Sequence, residues 1–261
     1  MFKPFNNKST KAAVIIGHPG HELRIYKFLK EFTPDVFIIT DGSGANNSSR
    51  IDNSIRLINA LGAKYIDTIQ PIPDTLLYEY IIQHNFTAIV ALQKSIKALI
   101  IQNNYNLIVG DSLEGFNPTH DLCRYLINGI VKEINSDEAN ELVFNYSFDL
   151  DAAPNKIINN HHNNDFYLLL SDKELDDKIT AGLNYTELKY EIEKALNLFG
   201  KKAFNKEIFW WVENDHSIKN WNECAPLYEK YGKERVGNGI YSEVIEFEKN
   251  MKPLANLLLN L

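Results

Sequence analysis

The stretch Ala12-Ala13-Val14-Ile15-Ile16-Gly17-His18-Pro19-Gly20-His21 decides the fold. The five apolar residues Ala12 to Ile16 are too few for a helix and do not alternate with polar ones. Such a run predicts a strand buried on both faces, as in a parallel sheet. It breaks at Gly17-His18-Pro19-Gly20, after which Leu23, Tyr26, Phe28, Leu29 and Phe32 fall near helical spacing over residues 21–32. A buried strand, a glycine turn and a helix form the opening of a β-α-β unit.

The alternation repeats downstream. A second strand, 35–40, runs into the turn Asp41-Gly42-Ser43-Gly44, and a helix over 49–61 stops at Gly62. A short strand near Tyr65-Ile66 and a loop punctuated by Pro71 and Pro73 follow. Then come a helix over 86–102 and a strand over 106–109 that opens into the loop Gly110 to Asp121. Thr119 is the expected cap of a helix running to about 134, and 142–148 reads as a further strand. This order predicts an α/β fold with a Rossmann-like, mostly parallel sheet flanked by helices. The polar residues 151–164 mark a boundary between a first domain, 1–150, and a smaller α+β C-terminal part, 151–261, which packs on it or continues it. In that part, helices are expected over 172–181, 186–199, 224–231 and 242–259, and a strand over 207–212.

Composition narrows the class. With 44% hydrophobic and 23% charged residues, the 261-residue chain has the balance of a folded globular protein. A net charge of −7 argues against a nucleic-acid partner. Two cysteines, Cys123 and Cys224, exclude a disulfide scaffold and a CxxC zinc site. No apolar run approaches the ~18 residues of a membrane span, and the first residues, MFKPFNNKSTK, lack the apolar core of a secretory signal. A cytoplasmic protein acting on a small molecule is expected, with a homo-oligomer compatible.

Parallel sheets bind ligands at the carboxyl ends of their strands. That rim gathers three loops: 17–21, 40–44 and 111–120. Three of the seven histidines lie on it, namely His18, His21 and His120. Three neutral imidazoles with a fourth position open are the ligand set of a catalytic zinc that activates water. The same spacing of His18 and His21 also suits a pair that caps a helix or bonds locally. His161 and His162, in the polar stretch, and His84 and His216 read as solvated side chains.

The segment Ala13 to Glu22, ending in Gly17-His18-Pro19-Gly20-His21-Glu22, resembles the A-H-P-D-D-E signature of the PIG-L / LmbE-like deacetylases. Glu114-Gly115-Phe116-Asn117-Pro118-Thr119-His120-Asp121 resembles that family's second signature, E-G-G-H-P-D-H-D. Thr40 to Gly44 looks like its loop after the second strand, and Arg50 with Leu61-Gly62 fits its following helix. The resemblance spans about residues 11–135. It implies a single Zn2+ held by His18, His21 and His120, and hydrolysis of the N-acyl group of an amino sugar or related amide. Apart from the resemblance, Thr40, Gly42 and Arg50 are candidate substrate contacts, the Thr40–Gly44 loop offering backbone N–H groups to a sugar or phosphate; the loop reads equally as a tight turn and Arg50 as a solvated helix arginine.

Two catalytic positions of the family differ. Its general base is an aspartate where this chain has Gly20, and its second histidine is here Asn117. His21 stands where the family carries an aspartate ligand, which leaves the metal's charge unneutralised and its water more acidic. The expected base is then a rim carboxylate, Glu114 first and Asp111 second. Asn117 donates a hydrogen bond to the oxyanion, Asp121 orients an imidazole, and Glu22 points away from the metal, where its equivalent in the family is a supporting residue. A carboxylate is also free to occupy the space above Gly20. The rival expectations are a binding protein of the same fold that has lost hydrolysis, and a nucleotide-sugar or phosphate binder using the Thr40–Gly44 loop.

Overall fold

The computed structural model describes residues 10–44, 48–151, 154, 164–213, 218–221 and 224–261. His161, His162 and His216 lie outside them. Five parallel strands form the body of the sheet: β1 (Ala12–Ile16), β2 (Asp35–Ile38), β3 (Lys64–Tyr65), β4 (Leu107–Asp111) and β5 (Phe144–Phe148). Two strands from the second half, β6 (Phe166–Leu169) and β7 (Lys206–Trp211), extend it antiparallel, giving the order β3-β2-β1-β4-β5-β7-β6. The fold is α/β, as the alternation predicts.

β1 shows why the opening run lacks an alternating pattern. Ala13 and Ile15 enter one apolar cluster and Val14 and Ile16 the other, so both faces are covered. On the first face pack α3 (Asp74–Ile82), α4 (Thr87–Gln102), α5 (Pro118–Asn135) and α9 (Lys252–Leu259). On the other pack α1 (Tyr26–Phe32) and α2 (Ile51–Ala60). α6 (Asp172–Leu183) contacts α1 and α7 (Lys189–Phe199), and α8 (Leu227–Gly237) buries Tyr228 in the first cluster.

α5 sits almost wholly inside the molecule. Its buried Arg124 donates to the Asp111 carbonyl at 2.5 Å, the Asn145 side chain at 2.9 Å and the Tyr146 carbonyl at 3.1 Å. Burial pulls this guanidinium down to about 10. These bonds hold the helix against β4 and β5 and so fix His120 in its first turn.

Several local expectations change. Residues 21–25 form a 3-10 turn before α1, because Gly20 enters with φ +104°. The cap of α5 is Asn117, whose side chain accepts from the Thr119 N–H at 2.8 Å, with Pro118 at the first helical position. The predicted C-terminal helix over 242–259 is a π segment, Phe247–Met251, followed by α9. α3 was not expected, because Leu76, Leu77, Tyr78, Tyr80, Ile81 and Ile82 follow one another too closely to show a helical period. β6 was not expected either, being four residues beside a polar stretch.

Candidate metal centre

His18 and His21 leave the turn after β1, and His120 leaves the first turn of α5, across the top of β4. Their rings converge, with centroids 5.4 Å apart for His18 and His21, 5.2 Å for His18 and His120, and 4.5 Å for His21 and His120. One ring nitrogen from each lies within 4.8 Å of the others, and among the described residues no other group of His, Cys, Asp or Glu meets that spacing.

The donor set fits a cation. Nδ1 of His18 and Nδ1 of His120 are buried without a hydrogen-bond partner, a cost a protein seldom carries for nothing. Nδ1 of His21 lies 3.0 Å from both carboxylate oxygens of Asp111, which leaves its Nε2 free. Asp111 also accepts the Gly17 N–H at 2.8 Å. Its carboxylate is placed to fix the orientation of the His21 ring. Burial pushes Asp111 up to about 6 and His21 down to about 3, Arg50 adding to the second effect. His18 and His120 are likewise held well below the usual imidazole range by burial, then by the charge of His21. Neutral imidazoles are the form that binds metal.

The imidazoles open into a cavity of about 370 Å³ also lined by Arg50, Asp74, Tyr78, Asn117, Leu188 and Tyr241. The Arg50 side chain donates through Nε to the Gly42 carbonyl at 2.7 Å. Asp74, at the start of α3, anchors Oδ2 on the Gly44 N–H at 2.8 Å. Its Oδ1 is buried without a partner, 3.6 Å from Nε2 of His18. Sequence reading missed Asp74, and an aspartate behind Pro71-Ile72-Pro73 at a helix start was the signal available.

Other expected residues stand elsewhere. Glu114 does not face the cavity: its carboxylate accepts the N–H groups of Leu150, at 2.7 Å, and Asp151, at 3.0 Å, and ties down the chain after β5. Asp121 accepts the Gly115 N–H at 3.0 Å and braces that loop, so it orients no imidazole. Thr40 is buried and donates to the Gly17 carbonyl at 2.9 Å, joining two strand ends. Gly42 packs beneath Arg50 and Pro19, with no room for a Cβ. Within that loop it is Gly44 that borders the cavity. No carboxylate occupies the space over Gly20, because Leu188 fills it: a Cβ at residue 20 would lie 2.2 Å from Leu188 Cδ1. Glu22 is buried and accepts the Gly20 N–H at 2.7 Å.

No protein-family model matches the chain, and no curated protein does. Solved structures do match. A structure of the pseudoaglycone deacetylase for the antimicrobial A40926 superposes with a TM-score of 0.55 at 15% identity, over 80% of this chain and 99% of that one. A triple mutant of a deacetylase from teicoplanin biosynthesis gives 0.55 at 12% identity, over 80% and 100%. The zinc-inhibited form of teicoplanin deacetylase gives 0.52 at 12%, over 80% and 100%. The chain therefore shares the fold of these deacetylases, across nearly their whole length.

Proposed function

We propose that this protein is a metal-dependent hydrolase that removes an acyl group from an amide, with an N-acetylated amino sugar or similar small biosynthetic intermediate as substrate. The observation that carries the reading is the convergence of His18, His21 and His120, with one nitrogen of each ring within 4.8 Å of the others and a buried, unpartnered ring nitrogen on both His18 and His120. His18, His21 and His120 would hold one Zn2+. A bound divalent cation supplies Lewis acidity toward an amide carbonyl and toward water, whose pKa falls from 15.7 to about 7 in such sites. The shared fold adds that solved structures of two proteins with this architecture are named as deacetylases, one of the two also in a zinc-inhibited form.

The chain's own residues supply the rest. Asp111 fixes the His21 ring and its tautomer. Arg50 places a cation at the cavity wall for a negatively polarised substrate oxygen. Asn117 spends Oδ1 on capping α5, and its Nδ2, beside the Tyr78 hydroxyl, is the group that would donate to the oxyanion. Leu150, Leu188 and Tyr241 add apolar surface to the cavity wall. The cavity falls within the ~300–1,000 Å³ typical of small-ligand sites.

One observation favours a second reading, a metabolite-binding protein that no longer hydrolyses: Leu188 fills the space over Gly20, where the resembled family carries its base. One experiment separates the two. Protein purified without chelators is assayed for bound metal, then loaded in parallel with zinc, cobalt and manganese and offered a panel of N-acetyl amino sugars. The hydrolase reading expects about one metal per chain, turnover on the panel, and loss of both in His18→Ala. Metal binding without turnover supports the binding protein, and a chain that takes up no metal refutes both.

A further inference from the structure

We infer that Asp74 is the proton-accepting carboxylate of this site, brought in by α3 to replace the aspartate that Gly20 lacks. The inference rests on the hydrolase reading. Three observations carry it. First, the position over Gly20 is closed: φ there is +104° and Leu188 occupies the space a side chain would need. Second, the carboxylates on the rim loops are spent, Asp111 on His21 and Gly17, and Glu114 on the backbone at Leu150 and Asp151. Third, Asp74 borders the imidazole cavity with one oxygen fixed and the other bare. Gly44 N–H holds Oδ2 at 2.8 Å, while Oδ1 is buried, unpartnered and 3.6 Å from His18 Nε2.

That separation is too long for a hydrogen bond. Asp74 therefore does not orient His18 as Asp111, at 3.0 Å, orients His21. It also stands outside the trio of converging ligand atoms. A carboxylate held by one oxygen at the edge of a metal site presents the other to water or to an amide N–H. In the reaction, the water oxygen bonds to the acyl carbon and its proton passes to Oδ1 of Asp74. As the C–N bond breaks, that proton moves to the departing nitrogen. The products are a carboxylic acid and an amine, and Asp74 returns to its starting form.

The test uses the zinc-loaded protein and two variants. Asp74→Asn keeps an oxygen for the Gly44 N–H and so preserves the loop; Asp74→Ala opens space for an added carboxylate. Zinc affinity, measured by chelator competition, is expected within threefold of wild type in both. Turnover is expected to fall about 100–10,000-fold, and formate is expected to restore about tenfold to Asp74→Ala alone. Acetohydroxamate, which offers an N–H and an O–H beside the metal, is expected to bind at least tenfold more weakly to Asp74→Ala, by calorimetry. Zinc affinity lowered 10–100-fold with no formate rescue would make Asp74 an orienting residue and overturn the inference. Undiminished hydroxamate binding in Asp74→Ala would also overturn it, while leaving wild-type turnover, and with it the hydrolase reading, intact. A wild type that binds zinc but never turns over refutes the hydrolase reading instead, and the hydroxamate comparison still decides whether Asp74 faces the metal.

Discussion

Gly20→Asp restores the residue that the resembled family uses as its base, and it is expected to damage the protein rather than repair it. Gly20 has φ +104°, a conformation that L side chains rarely adopt. Placing a non-glycine residue in left-handed backbone costs about 1–2 kcal/mol. The new Cβ would meet Leu188 Cδ1 at 2.2 Å. Overpacking costs about 1–3 kcal/mol, and the tip of a leucine side chain can rotate away, so the lower end applies. The sum is about 2–3 kcal/mol. At about 2–4 °C per kcal/mol for a chain of this size, Tm should fall by about 4–12 °C. The assay is thermal unfolding followed by circular dichroism, in chelator, on wild type, Gly20→Asp, Leu188→Ala and the double variant. Removing Leu188 should recover only the steric share, giving a coupling of about 1 kcal/mol between the two positions. The backbone share should persist. No gain in turnover is expected from Gly20→Asp, because its carboxylate would press on Leu188 instead of reaching the imidazoles. A Gly20→Asp protein that melts within about 1 °C of wild type, or that shows no coupling to Leu188, refutes the reasoning.

Other consequences can be checked directly. Asp111→Asn should weaken zinc binding about 10–100-fold by chelator competition, because an amide cannot hold both His21 Nδ1 and the Gly17 N–H as the carboxylate does. Glu174 is pulled down to about 2 by its bond from Lys27, reinforced by the Ser171 N–H in the capping box that starts α6. Because its folded value lies below the ordinary 4.5, it stabilises the protein above that pH, and the contribution fades as pH falls toward 2. Glu174→Gln keeps the capping box and should flatten the loss of stability between about pH 4.5 and 2, seen by urea unfolding, at a cost below about 1 kcal/mol at pH 7.

Much of the fold was legible in the sequence because its signals are local. A strand covered on both faces needs an unbroken apolar run, and Ala12–Ile16 and Leu107–Val109 supply one each. α3 was not legible, because a helix with apolar residues on most sides loses its period. The convergence of His18, His21 and His120 was readable from their places on loops that a parallel sheet must bring to one rim. The cap of α5 was placed on Thr119 instead of Asn117 because both are good caps, and only the helix start decides between them.

The carboxylates mark where sequence reading ends. The alternation of buried strands and helices determined that this chain builds an α/β sheet and sets three imidazoles at its carboxyl edge, since hydrophobic period and glycine turns act over a few residues at a time. Which acid faces those imidazoles was decided by contacts across the chain. Glu114 is drawn off by backbone N–H groups at 150–151, Leu188 arrives over Gly20 from a helix far along the sequence, and Asp74 is swung in by α3. A carboxylate's role depends on which donors satisfy it, and those donors are neighbours only in the folded protein.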